Sequence, residues 1–385
     1  MFTIPADETY QRIIKIFYHL GIWQLDDESE YRRIGKRLFY TFFGALLPIF
    51  FGANAHLCND RNESIFSAEA AIINSVIYMK FLYLLFKKPE ILAFLYDQTV
   101  VHSIENRDEY EQASKKIDKF ISFVRPYCSA FFITAPLLIV SKLPIFSSDG
   151  GLPVFISLSW NDSEIVFWLA YLFVSLSTLL YVVAYLFTPL IWYMMLNYSI
   201  EYELLGNKLR KLGVGKKTAV KQNDLRLSQR SRFAEDLIVL VKANRTLTET
   251  IERFRSCFSP LFLGQITTSG IAICASIYNL AFASNQDIVQ TEFHVVVLLC
   301  VTFDIFLDMY LANDITVASD RLSYCLFESN WIDQTESCKK HVLIMGEVLK
   351  EPQKLVVLIY PMNLETFLTI INGAYSMFNI LKSFQ

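Results

Sequence analysis

Seven long segments of the chain are almost entirely apolar, and polar or charged stretches separate them. A helix needs about 20 mostly apolar residues to cross a bilayer core of roughly 30 Å. The segments that reach this length cover residues 38–57, 70–86, 126–146, 165–196, 256–286, 293–312 and 361–381. The pattern predicts an all-α membrane protein with seven transmembrane helices. The fourth and fifth segments exceed the bilayer thickness, which predicts helical extensions into the cytoplasm.

The composition agrees with this pattern. Hydrophobic residues make up 53% of the 385 residues, charged residues only 19%, and the mean hydropathy is +0.34. A soluble domain carries about 25% charged residues, so the composition excludes a disordered chain and an ordinary soluble domain. The net charge of −3 gives no basic surplus, and we expect lipid rather than nucleic acid around this protein.

The positive charges predict the orientation. Almost all of the 35 Lys and Arg residues lie in the N-terminal segment and in every second connection after it. Such residues collect on the cytoplasmic side, so we expect the N-terminus inside and, after seven crossings, the C-terminus outside. A G-protein-coupled receptor has the opposite orientation. Two glycosylation signals, at Asn62 and Asn161, fall in predicted outside loops.

Few residues point to catalysis. The five histidines are scattered without metal-ligand spacing, so we expect no metal, no cofactor and no enzymatic activity. Asp304 and Asp308 share one helical face, which suits either a catalytic or ion-binding pair or, as we prefer, the polar end of a helix that continues into the cytosol. Lys80 and Lys142 lie toward the ends of their segments, and we expect their ammonium groups to reach the interface.

The last segment carries a polar stripe. Its members recur every three or four residues and therefore share one helical face; they are Glu365, Thr369, Asn372, Ser376 and Asn379. In a bilayer such a stripe faces protein or water, as interhelical hydrogen bonding or as a pore lining. One helix cannot enclose a pore, so the second interpretation requires several subunits. Pro361 favours a helix start there.

The C-terminal third resembles the insect odorant receptors. Motifs typical of that family after the sixth span are Asn313-Asp314-Ile315, Ser319-Asp320-Arg321-Leu322 and Asn330-Trp331. Its terminal signature is represented by Leu349-Lys350-Glu351-Pro352, Pro361-Met362-Asn363-Leu364-Glu365-Thr366-Phe367 and Ala374-Tyr375-Ser376-Met377-Phe378. Gly373 and Ala374 replace the usual Ala-Ser. The Thr-Tyr start and Gln-Phe end of the gustatory receptors are absent from the last segment.

The resemblance implies an odorant-binding subunit of a heteromeric, ligand-gated, nonselective cation channel. Its partners would be odorant receptor co-receptor subunits, in a heterotetramer in the plasma membrane of olfactory sensory neurons, and its ligand a small volatile. The implied layout is residues 1–312 for six spans and the ligand pocket, 313–354 for a cytoplasmic anchor segment, and 355–385 for the pore helix and an extracellular tail.

By family pattern, the ligand binds among the outer halves of spans two, three, four and six. Apolar and aromatic side chains dominate those positions in this chain, although ordinary packing against lipid or other helices would give the same pattern. The candidates are Ile73, Val76, Ile77, Pro136, Ile139, Trp168, Tyr171, Ser175, Val297, Leu298 and Val301. The alternatives are a metabotropic seven-helix receptor resembling a G-protein-coupled receptor, and a gustatory-type chemoreceptor.

Overall fold

The computed structural model describes residues 8–24, 29–58, 61–96, 106–141, 143, 164–213, 222–282 and 288–383. Helices dominate this part of the chain. Their bounds are α1 Glu8–His19, α2 Glu30–Leu57, α3 Arg61–Phe86, α4 Lys88–Tyr96, α5 Arg107–Ser141, α6 Glu164–Tyr185, α7 Phe187–Arg210, α8 Gln222–Phe282, α9 Ile288–Phe327, α10 Glu336–Val348 and α11 Leu364–Ser383. A hairpin of β1, Val356–Val357, and β2, Tyr360–Pro361, precedes α11.

Six helical stretches in the described residues are long and apolar enough to cross a membrane. They correspond to α2, α3, α5, the consecutive pair α6 and α7, α8, and α9, and these match the first six predicted segments. Helix α11 has 20 residues, carries the polar stripe and is not one of these six stretches. The prediction of long helical extensions is confirmed, because α8 alone continues for 61 residues.

Helix α7 forms the centre of the most densely packed half of the bundle, around which α8, α9, α3 and α5 pack. Trp192, Met194 and Leu205 on different sides of α7 are all fully buried. A helix that is enclosed on every side has to be apolar all round, which explains the long uncharged run in the fourth predicted segment. That run contains a break at Leu186, so it forms two helices.

The chain before α11 docks onto the extensions of α8 and α9. Gln353 makes the main polar contacts. Its side-chain amide donates to Glu252 on α8 at 2.7 Å, its backbone N–H donates to Ser319 at 2.9 Å, and its carbonyl accepts from Thr316 at 3.1 Å. The β-hairpin was not predicted. The division at residues 312 and 354 stays a prediction; α9 is continuous across residue 312.

The last helix begins three residues later than predicted. Pro361 belongs to β2, and Asn363 caps α11 by accepting a hydrogen bond from the backbone N–H of Thr366 at 2.8 Å. An Asn side chain at this position satisfies one of the free N–H groups of a helix start. Proline at 361 therefore ends the hairpin, and the cap residue sets the start of the helix.

Candidate functional site

Five helices, α3, α5, α6, α8 and α9, line a partly open cavity of about 260 Å³. Most of its wall is apolar, with valine and isoleucine side chains from α3 and α9 and the rings of Phe131 and Tyr181 from α5 and α6. Polar atoms concentrate at one end, where Lys80, Gln265 and Asp304 reach the wall. Pockets for small molecules have volumes of about 300–1,000 Å³, so this cavity suits a small ligand.

Some of the predicted ligand-contact residues line this cavity, and the others lie elsewhere. Those in the wall are Ile73, Val76, Ile77, Val297 and Val301. Those outside it are Pro136, Ile139, Trp168, Tyr171, Ser175 and Leu298. The predicted residues that line the cavity all belong to α3 and α9. Helices α5 and α6 also contribute to the wall, but with side chains other than the predicted ones. Ligand contact by any of them stays a prediction.

The predicted residues of α5 and α6 take part in a separate contact between these helices. The Tyr171 hydroxyl donates a hydrogen bond to the carbonyl of Ile139. Both side chains belong to an apolar cluster with α2 and α3 residues. Pro136 and Trp168 are exposed on the outer surface of the bundle, with 44% of Trp168 accessible. Ser175 is buried, and its hydroxyl has no hydrogen-bond partner among the described residues.

The polar end of the cavity, here called the floor cluster, consists of Lys80, Asp304, Asp308 and their hydrogen-bond partners. Lys80 is only 2% exposed, and its ammonium donates to the Thr188 hydroxyl at 2.8 Å. The expectation that this side chain reaches the membrane interface is therefore wrong. Helix α7 covers α3 at this level, so the shortest path for the ammonium leads into the protein. Lys142 lies outside the described residues.

The two aspartates of α9 are also buried. The hydroxyls of Tyr127 and Tyr185 donate to the Asp304 carboxylate. The Asp308 carboxylate accepts from the Trp192 indole at 2.8 Å and from the Gln265 amide at 2.7 Å. The prediction of a solvated polar helix end is therefore wrong. At this level α9 packs against α7 and α8 and does not face solvent. The carboxylates are therefore buried, and buried carboxylates require hydrogen-bond donors.

A sequence signal for the floor cluster did exist. One apolar segment carried a single Lys, and another carried two Asp on one face. Ionisable residues inside a membrane protein usually face its interior and pair with each other. Considered together, these opposite charges in different segments indicate an interior cluster, whereas each segment considered alone suggests an interface residue.

A second buried polar cluster, here called the roof cluster, lies beyond the end of the cavity opposite the floor cluster. Glu69 on α3 is 3% exposed and contacts the imidazole of His294 on α9 at 3.2 Å. Ser276 and Asn279 on α8 donate to the same carboxylate, at 2.5 Å and 3.5 Å. Glu69, Ser276 and His294 each lie about one turn from a cavity-lining residue of their own helix, and Asn279 lies about two turns from Ala272. The predicted second segment begins at residue 70, so Glu69 was missed.

The predicted pore face points away from the rest of the subunit. All five stripe residues, Glu365, Thr369, Asn372, Ser376 and Asn379, are exposed. The opposite side of α11 packs on α8 and α9, and its centre is Ala374, which is 2% exposed beside Ile273 and Cys274. Ala374 is two residues from both Asn372 and Ser376, which is about half a turn around the helix at roughly 100° per residue. The stripe is therefore not used for hydrogen bonds to other helices of this chain within the described residues.

Of the two predicted glycosylation sites, Asn62 lies in the first turn of α3, and its side chain is not among those described. Asn161 lies outside the described residues. Glycosylation therefore stays a prediction at both positions. Within the described parts of the chain, no group of three His, Cys, Asp or Glu side chains is arranged to hold a metal ion.

Comparison with known proteins tests the resemblance. The model of the family described as "7tm Odorant receptor" matches residues 62–375. The chain belongs to this odorant receptor family. It is therefore a multi-pass membrane receptor rather than an enzyme, and the expected family is confirmed.

Individual relatives agree with the family. Odorant receptor 46a, isoform B, of Drosophila melanogaster is 24% identical over 98% of both chains, and odorant receptor 23a of the same species is 24% identical over 74% of this chain and 73% of its own. The solved olfactory receptor OR5 of Machilis hrabei superposes with a TM-score of 0.76 at 14% identity over 97% of both chains. Its complex with eugenol gives 0.75 at 14% identity over 98% of this chain and 100% of the other. These likenesses confirm the all-α, seven-helix membrane fold.

Proposed function

We propose that this chain is the odorant-binding subunit of a heteromeric, ligand-gated, nonselective cation channel. It assembles with odorant receptor co-receptor subunits in a heterotetramer, in the plasma membrane of olfactory sensory neurons. The N-terminus lies in the cytoplasm and the C-terminus outside, in accordance with the positive charges of the sequence. The observation that carries the proposal is the combination of an apolar cavity between the helices with an exposed polar face on α11.

The cavity supports binding of a small volatile. Burial against its apolar wall favours binding by about 25 cal/mol for each Å² of apolar ligand surface removed from water. The size of the cavity excludes large molecules. The likeness to the Machilis receptor structure with eugenol supports the same kind of ligand, because the two chains share the fold that encloses the cavity. Contact with the five predicted lining residues of α3 and α9 is part of this proposal.

The polar stripe of α11 supports the pore. Exposed amides, hydroxyls and the Glu365 carboxylate on one face would cost several kcal/mol each if lipid covered them. The same face from several subunits around one axis encloses a water-filled path. Neutral amides and hydroxyls along most of that path, with one carboxylate at its cytoplasmic end, suit weakly selective passage of cations.

A short chain of contacts connects the cavity to α11. Val301 on α9 lines the cavity, and it also packs against the cluster of Ile273, Cys274 and Ala374. Ala272, the neighbour of Ile273, lines the cavity from α8. Ligand binding that moves α8 or α9 therefore changes the surface on which α11 rests. The ligand opens the channel only to the extent that it binds the open arrangement more tightly than the closed one.

The test is to record odorant-evoked currents from cells that express this chain with the co-receptor, with G-protein signalling blocked. We expect cation currents that require both chains and begin without a second messenger. Cells that express the co-receptor alone are the control, and currents from them define the background for each odorant. Responses that disappear when G proteins are blocked would contradict the proposal and support the metabotropic alternative.

A further inference from the structure

The floor cluster contains a buried ammonium group that lacks most of its hydrogen-bond partners. Lys80 has three N–H donors and is 2% exposed. Within the described part of the chain, its only hydrogen bond goes to Thr188 Oγ1, and its ammonium otherwise lies 5.5 Å from the centroid of the Tyr185 ring. A buried donor without an acceptor is costly, and a charged one more so. The remaining donors therefore require an acceptor.

Lys80 is one of the residues in the wall of the cavity, so the cavity offers space for an acceptor next to this side chain. The nearest carboxylate in the wall, Asp304, already accepts from two tyrosine hydroxyls. Ser269 lines the same cavity, and its hydroxyl makes no hydrogen bond to any residue that the structure describes. Two residues of the wall, Lys80 on α3 beyond its bond to Thr188 and Ser269 on α8, thus have donors with no further acceptor among the described residues.

The rest of the wall sets the shape of the occupant. Ile73, Val76 and Ile77 continue along α3 from Lys80, and Val297 and Val301 face them from α9. A molecule that fills the cavity therefore meets apolar side chains over most of its surface and hydrogen-bond donors at one end only.

We propose that the cavity selects volatiles with a carbonyl oxygen near one end of an apolar body, and that the Lys80 ammonium donates a hydrogen bond to this oxygen. The inference rests on the proposed function and names the ligand class of that site. The contact is noncovalent. A hydrocarbon would leave the Lys80 donors unpaired, whereas an amine would bring a second positive charge beside the ammonium.

Three compounds with the same number of heavy atoms test the proposal: 2-heptanone, 2-methylheptane and 2-aminoheptane. Binding is measured as the rise in Tm of the full-length chain purified with the co-receptor, over a range of compound concentrations. Because hydrogen bonds to charged groups are the stronger ones, we expect 2-heptanone to bind at least about tenfold more tightly than the other two. Equal binding of ketone and hydrocarbon, or tighter binding of the amine, would overturn the proposal.

Variants locate the effect at Lys80. Lys80→Met should remove the preference for the ketone, whereas Val295→Ala, on the outer face of α9, should keep it. Lys80→Met leaves two buried carboxylates without a cation, so the double variant Lys80→Met/Asp308→Asn is tested beside it. A ketone preference that persists in a folded variant without Lys80 contradicts the proposal.

Currents recorded with the same compounds separate this inference from the proposed function. If 2-heptanone binds selectively through Lys80 but evokes no current in cells with both chains, the channel function is wrong and the ligand class stands. If all three compounds open the channel with similar potency and bind equally, the ligand class is wrong and the channel function stands.

Discussion

The half of the bundle around α7 and the half around the cavity contain the same long helices but are packed differently. Side chains pack closely along α7, and Trp192, Met194 and Leu205 are fully buried. In the other half, α3, α5, α6, α8 and α9 separate enough to leave a cavity of about 260 Å³. The difference indicates a division of roles: the filled half maintains the fold, and the open half is free to bind.

This comparison predicts that substitutions act differently in the two halves. In a filled core, removal of a side chain leaves a cavity that costs stability. At a wall that already faces empty space, the same removal costs less, and an enlarged side chain competes with the ligand instead. Stability measurements and ligand responses should therefore separate the two halves.

The largest effect is expected for Trp192→Ala. This change removes a fully buried indole and also leaves the Asp308 carboxylate without one of its donors. Loss of a buried Trp costs about 3–5 kcal/mol, so the purified receptor should unfold at a much lower temperature. The matched control is Trp168→Ala, because Trp168 is 44% exposed; its cost should stay below about 1 kcal/mol. Equal losses would contradict the comparison.

The second effect concerns ligand binding without loss of the fold. Val297→Phe places a ring in the wall of the cavity, so odorant potency should fall at least about tenfold, while the Tm without ligand changes little. The same change at Val295, which is 41% exposed two residues away on α9, is the control and should leave potency unchanged. Concentration–response curves check both, and an unchanged curve for Val297→Phe would mean that ligands bind elsewhere.

A smaller effect is expected where the chain before α11 docks onto the filled half. Gln353→Ala removes the side-chain hydrogen bond to Glu252 and leaves that carboxylate without this donor. The cost should be about 1–2 kcal/mol, measurable as a lower Tm. Arg245→Ala breaks an exposed ion pair with Glu249, which is worth less than about 0.5 kcal/mol. A larger loss for Arg245→Ala than for Gln353→Ala would contradict this assignment.

Features that depend on local pattern could be predicted from the sequence. Continuous apolar length predicted the spans, and a repeat of three and four residues placed the stripe from Glu365 to Asn379 on one exposed face. The burial of Ala374 on the other face agrees with that pattern. These predictions succeeded because helix geometry alone determines which residues of one helix share a face.

Features that depend on contacts between distant helices could not be predicted in the same way. The apolar runs of α5 and α6 do not reveal that Tyr171 contacts Ile139 instead of the cavity. Lys80 and Asp304 meet across more than 200 positions of sequence, so neither segment alone indicates that its charge is compensated inside the protein. Tertiary packing decides these contacts, and periodicity within one helix carries no information on it.

The central claim is that odorants in the cavity open a cation path lined by the stripe of α11. Its most direct test is the accessibility of Ser376→Cys to a charged, membrane-impermeant thiol reagent during odorant-evoked currents, in cells that also express the co-receptor. Met377→Cys is the control, because residue 377 lies about 100° around the helix. We predict a block of current for Ser376→Cys well above that in the unmodified chain and in Met377→Cys. Equal effects at both positions, or none at Ser376→Cys, would contradict it.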